Sequence, residues 1–457
     1  MKFNRDKLVY NGDVEIINSP VKKIMDKFIL QGMFGSAFGV MTSGVIFAGF
    51  MILMGASDEI VSYVSILPSI CAIFIVFFSS AIDKFENRRL LAVIFGSAGR
   101  CLYVSAIFVP LFIDNPYRIP VIFVIKILGH IAMVISSLGF NTWFNGLIPA
   151  NIRGRCFSTR QIWSMGVSII VPVLCGLLID NMQETYNAYL ILFSIAAVFI
   201  IVEMKLWMMI PEHRTDRVPG KKNLFQLLLV PLKNREFVSF TALCAAFFFI
   251  YHIAATFNMI YLLRYLGVSM TFVNGVVSIS ALLQMLVFYK IWGRIADRLG
   301  GRFALALSMC FYVVELVIWF FVMPSTVYVL VILKQVFVAI QTSGFAVSHF
   351  KRRYDITPEE GRTVYDAVYS SFIGIVLLFT PIAGMFLRGI LTERIPDTNM
   401  EFGAFRMVYL ISAFFLLLLQ IFHIRQVAKA EEDLNLFSKQ GAAKIAATIK
   451  NCIFTPK

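Results

Sequence analysis

Charge is scarce in this chain. Asp, Glu, Lys and Arg supply 15% of its 457 residues, against about a quarter in a soluble domain. That deficit excludes a water-soluble globular enzyme. Cysteine is sparse and unpaired: Cys71, Cys101, Cys156, Cys175, Cys244, Cys310 and Cys452 fall mostly inside apolar runs, so neither a disulfide framework nor a metal site is indicated. No Walker P-loop occurs, so ATP-driven work by this chain alone is unsupported. The opening stretch, MKFNRDKLVYNGDVEIINSPVKK, is polar; it is no cleavable leader, and the first spanning helix is expected to direct insertion. No metal-ligand cluster or nucleophile–base arrangement stands out. No cofactor is implied, and an enzyme is not expected.

What is present is apolar bulk. Hydrophobic residues make up 59% of the chain and Phe alone 45 positions, with a mean hydropathy of +0.78. A polytopic membrane protein fits, and the lipid bilayer is its first partner. The net charge of +14 reads as basic loops facing an anionic cytoplasmic leaflet rather than as a nucleic-acid surface.

A membrane helix needs about 20 largely apolar residues. Twelve such runs lie between polar breaks, near 28–56, 59–82, 90–113, 119–142, 160–181, 186–210, 237–263, 271–292, 303–323, 326–349, 363–390 and 403–424. We number them span one to span twelve. The longest polar stretch, PEHRTDRVPGKKN, follows span six. It leads into the amphipathic LFQLLLVPLKNREF, expected on the membrane surface. The expected organisation is a cytoplasmic segment 1–27, a six-helix bundle 28–210, a central loop 211–236, a second bundle 237–424 and a tail 425–457. The tail's KAEEDLNLFSKQGAAKIAATIKN suggests a further surface helix. With both termini inside, 33 Lys and Arg fall on the cytoplasmic side and only Arg118, Arg264, Arg388, Arg394 and Arg406 outside. This orientation follows the positive-inside rule and predicts a multi-pass protein of the cell membrane.

The two halves repeat. After span eight stands Gly293-Arg-Ile-Ala-Asp297-Arg298-Leu-Gly300-Gly-Arg302, and after span two Ala81-Ile-Asp83-Lys-Phe-Glu-Asn-Arg88-Arg89. Ile148-Pro149 through Arg155 answers Thr357-Pro358 through Arg362, and Pro172 with Gly176 answers Pro381 with Gly384. On these residues the chain resembles the major facilitator superfamily, whose signature loop G-x-x-x-D-R-x-G-x-R is complete at 293–302. The first-half copy departs from it at Ser79, Lys84 and Glu86. The resemblance implies an all-α fold of twelve transmembrane helices in two pseudo-symmetric six-helix bundles around a central cavity, and secondary transport. It also implies that Asp297, Arg298 and Arg302, with Asp83 and Arg88 as the symmetric set, gate the cytoplasmic side.

Polar residues at membrane depth usually face a cavity or a partner. Span four carries Lys126, His130, Ser137 and Asn141 on one helical face; span ten carries Lys334, Gln341 and Ser348, with Gln335 adjacent. Span seven adds His252, Thr256 and Asn258, and span one Gln31, Thr42 and Ser43. The resemblance places spans one, four, seven and ten around the central cavity. Arg100 and Glu315 lie deep in spans three and nine. A chamber with two lysines, an arginine and two histidines suits an anionic substrate, and one anion joining Lys126 to Lys334 would favour closure around itself. Glu315, His130 and His252 are read as the proton carriers at depth, so proton symport is favoured over exchange. The partial antiport motif of span five (Gly166, Pro172, Gly176) makes drug efflux less favoured. Trp143, Asn145 and the Arg153–Arg160 stretch form a polar inner rim, read as loop structure. A monomeric transporter of a small carboxylate, acidic sugar or organophosphate is expected. The alternatives are a lipid or glycolipid flippase, or drug or metabolite efflux, on the same scaffold.

Overall fold

The computed structural model describes residues 20–454 apart from 72, 76–77, 79–86, 148–149, 213–223, 359–361, 395–399 and 431–438. Asp83 lies outside the described residues, and so do the side chains of Asn141, Asn145, Arg153 and Arg155. All regular structure among the described residues is helical. Among the described residues, ten helices are long and apolar enough to cross a bilayer, from Lys22–Leu53 to Gly403–Ala428. The other two of the twelve spans begin as the helices Asp58–Cys71 and Arg88–Ser105. The second of these is less apolar because it carries Arg88, Arg89 and Arg100.

Span one is broken. One helix, Pro20–Thr42, ends before Gly44, whose φ of +58° only glycine adopts cheaply; a second helix, Gly44–Leu53, completes the span. The last carbonyls of a helix lack intrahelical partners, and the Thr42 carbonyl accepts a bond from Lys126. Wide π-type turns interrupt spans seven and eight at Tyr261–Tyr265 and Gln284–Phe288. The amphipathic segment after the central loop forms the helix Leu224–Lys233, and the tail forms Lys439–Phe454.

The chain divides into two compact units. The first holds Met1–Ser57 and Cys71–Lys222, the second Asp58–Ile70 and Asn223–Lys457. The division departs from the sequence halves in one segment, the start of span two. The reason is electrostatic: Asp58 is bound by Arg264, by Arg388 at 2.6 Å and by the Tyr265 hydroxyl at 2.8 Å.

In the first unit, spans three and four (Arg118–Leu147) approach through small residues. A Cβ on Gly99 would lie 2.8 Å from the Gly129 carbonyl, and one on Gly129 would lie 2.5 Å from the Tyr103 ring. Such contacts let membrane helices pack backbone to backbone. In the second unit, Gly344 plays this part against Trp292, at 2.4 Å from a notional Cβ. There the tail helix lays Ile445 and Cys452 on Trp292, Ile295 and Leu299 of span eight. Arg294 donates to the Cys452 carbonyl at 3.0 Å, which satisfies one of that helix's final acceptors.

Candidate functional site

The first unit contains a polar cavity of about 300 Å³ whose lining includes Gln31, Ser36, Arg100, Arg160, Gln161 and Ser164. Spans one, three and five (Ala150–Asn181) supply these residues, and span six (Thr185–Met208) closes the group with Glu203. Arg100 donates to Glu203 Oε1 at 2.7 Å, Gln31 donates to the same oxygen at 2.6 Å, and Arg160 donates to Gln31 Oε1 at 3.2 Å. Arg100 is 5% exposed and Glu203 0%. A charge buried this far persists only if paired. Glycines make the room: a Cβ on Gly35 would stand 2.9 Å from Glu203 Oε1, and one on Gly32 would stand 2.8 Å from Ser164 Oγ. Among the described residues, Glu203 Oε2, Arg100 Nε and Ser164 Oγ keep no hydrogen-bond partner.

Gln31 and Arg100 are brought together at this cavity. Lys126 and His130 stand apart from that lining. The Lys126 ammonium lies 3.6 Å from the Tyr103 ring centroid and 4.1 Å from that of Phe47, in addition to its bond to Thr42. His130 Nδ1 is 2.9 Å from the Lys126 carbonyl, and its ring packs on Tyr103.

The second unit is built around Glu315 of span nine (Gly301–Phe321). It accepts from Tyr251 at 3.0 Å, Trp319 at 3.2 Å and Gln341 at 2.5 Å. Lys334 of span ten (Val327–Ile356) lies 4.6 Å over the Trp319 ring. His252 packs against Phe248 and Tyr251, one residue from the Glu315 cluster. Asn258 instead accepts from Tyr409 at 2.9 Å. Of the signature residues, Asp297 pairs with Lys351 at 2.8 Å, Arg302 pairs with Glu236, and Arg298 is exposed. Arg88 is buried, while Arg89 donates to the Ile210 carbonyl at 2.9 Å at the end of span six.

Sequence reasoning missed Glu203, a further carboxylate buried within a span. The signal was available: a carboxylate inside an apolar run is costly unless paired, and Arg100 needed an acid. Arg160, read as rim, reaches the same cavity. Tyr251 and Trp319 carried no signal beyond their aromaticity.

A sequence profile of the Major Facilitator Superfamily matches residues 29–348 and 240–456. The chain belongs to this superfamily. No curated protein matches it by sequence. Its fold is similar to that of a nucleoside transporter (TM-score 0.68, 14% identity, 88% of this chain and 99% of that one). It is also similar to a D-xylose–proton symporter (0.64, 14%, 89% and 97%). A third similar structure is a bacterial homologue of the human lysosomal transporter Spinster, inward-facing and unoccupied (0.66, 13%, 96% and 100%). At these identities the likeness concerns the fold. The superfamily protein is a multi-pass membrane transporter of the secondary type.

Proposed function

We propose that this transporter moves a small organic anion (a carboxylate, acidic sugar or organophosphate) by alternating access across the cell membrane, with both termini in the cytoplasm. One observation carries the reading. The polar cavity of the first unit is lined by two guanidinium groups, Arg100 and Arg160, and the buried carboxylate Glu203 beside it is bonded to Arg100. Arg presents a planar fork of donors that matches carboxylate and phosphate geometry, and Gln31, Gln161 and Ser164 add neutral polar groups. Lys126 and Lys334 each place a buried amine in their unit.

We assign proton coupling to Glu315. Its three partners are neutral, and no described ion pair is lost when it gains a proton. Proteoliposome counterflow with a panel of carboxylates, sugar acids, organophosphates, neutral sugars and nucleosides tests the substrate class. Anions should exchange, and Arg160→Gln should abolish that exchange without unfolding the protein. Exchange of neutral solutes alone would overturn the anion reading. Glu315→Gln should retain counterflow and lose uptake driven by a pH gradient; unchanged pH-driven uptake would remove Glu315 from the coupling role.

A lipid reading has one observation in its favour, an apolar groove of about 480 Å³ lined by Leu30, Phe34, Val171, Leu174, Ile195 and Phe199. Yet at about 100° per residue, Leu30, Phe34 and Ala37 occupy one flank of span one, while Gly32, Gly35 and Ser36 occupy the other. Span one thus stands between the groove and the polar cavity, which argues against one lipid using both. A labelled-lipid translocation assay separates the two readings.

A further inference from the structure

The signature residue Arg302 leads to a second polar cavity, wholly within the second unit. It has a volume of about 150 Å³ and is lined by Glu236, Ser239, Arg302, Arg352, His423 and Gln426, together with apolar neighbours. Glu236 begins span seven (Arg235–Tyr265), Arg302 begins span nine and Arg352 ends span ten. His423 and Gln426 come from span twelve (Gly403–Ala428). These positions lie at the end that the Lys/Arg tally assigns to the cytoplasm.

The charges do not balance. Both arginines converge on one oxygen, Glu236 Oε1. Two guanidinium groups carry ten N–H donors between them, so most are left for another acceptor. His423 is 6% exposed, and its Nδ1 has no hydrogen-bond partner among the described residues. One turn deeper on the same helix, Gln420 is 1% exposed, and neither end of its amide is partnered among those residues. Each such buried group costs about 1–3 kcal/mol if left unmade. The volume falls below the roughly 300 Å³ at which sites for organic ligands begin, and it suits a tetrahedral oxyanion with a few waters.

We propose that this cavity binds a phosphate-type oxyanion, held by Arg302, Arg352 and His423, at a site separate from the transported solute. The bound group competes with Glu236 for the two arginines, and so acts on the tie between the cytoplasmic ends of spans seven, nine and ten. Inorganic phosphate and the phosphate of an anionic lipid headgroup share this chemistry.

The test uses the full chain in nanodiscs of phosphatidylcholine, titrated with inorganic phosphate at fixed ionic strength, with the thermal unfolding midpoint as readout. A saturable rise is expected. His423→Ala should weaken it by about tenfold or more, and Arg302→Gln should remove it. Gln426→Ala serves as the second variant if Arg302→Gln fails to fold. Arg160→Gln, in the first unit's cavity, should keep the phosphate response. If phosphate has no effect but nanodiscs containing phosphatidylglycerol raise the midpoint, and His423→Ala loses that rise, the lipid headgroup is the source. The proposal is overturned if neither form of phosphate shifts the midpoint, or if His423→Ala responds as the parent does. Loss of the response in Arg160→Gln with retention in His423→Ala would assign the anion to the first unit instead. Failure of anion counterflow leaves this proposal intact, because the two sites share no residue.

Discussion

Among the described residues, two carboxylates are buried within the spans, one in each unit, and they are satisfied differently. Glu203 in the first unit rests against a guanidinium at 2.7 Å, with Gln31 on the same oxygen. Glu315 in the second is bound by a phenol, an indole and an amide, and Lys334 lies over the ring of that indole, Trp319. Repeated halves of one architecture thus hold an ion pair on one side and a neutral donor cage on the other. An ion pair fixes charge in place, because removing either member strands the other. A neutral cage strands no opposite charge when the acid is neutralised. The proposed assignment of anion binding to the first unit and proton coupling to the second rests on this difference.

The sharpest way to break the comparison is Arg100→Gln. It strands Glu203 and should cost about 3–5 kcal/mol, read as loss of folded protein in thermal unfolding. Adding Glu203→Gln should recover part of that loss, and a double mutant no better than the single would show that the pair is not coupled. Gly35→Ala comes next. Its methyl would press on Glu203 Oε1, with an expected cost of about 1–3 kcal/mol. An unchanged midpoint would mean that the cluster yields easily. Glu315→Gln should be milder, at about 0.5–1.5 kcal/mol, since an amide oxygen in the Oε1 position still accepts from Trp319 and an amide nitrogen in the Oε2 position can donate to the Tyr251 hydroxyl. A loss as large as that of Arg100→Gln would erase the distinction between the units. The smallest effect is expected at Asp297→Asn, whose side chain is 77% exposed in its pair with Lys351. Under about 1 kcal/mol is expected there, shrinking further in high salt.

Particular residues show how far the sequence reached. Span positions and the complete motif at 293–302 were legible because hydropathy over about 20 residues, and a turn between two helices, are local properties. Gln31 and Arg100 were read as pathway residues, and both reach the polar cavity. Glu203 was not legible as the partner of Arg100, because the two lie 103 residues apart along the chain. Asp58 looked like an ordinary helix start, with acid in the first turn. Nothing local shows that it would collect Arg264, Tyr265 and Arg388, which lie 206, 207 and 330 residues away along the chain.

Composition and pattern by themselves determined that this chain lives in a bilayer, crosses it twelve times and repeats once. Each of those follows from what a stretch of backbone must do to satisfy its own hydrogen bonds in lipid. Tertiary structure alone decided which buried charges meet. The rotation of each helix about its axis sets whether an acid faces Arg, Trp or solvent, and that rotation depends on glycine contacts such as Gly35 against Glu203 and Gly99 against Gly129. Those contacts arise only once distant segments pack together.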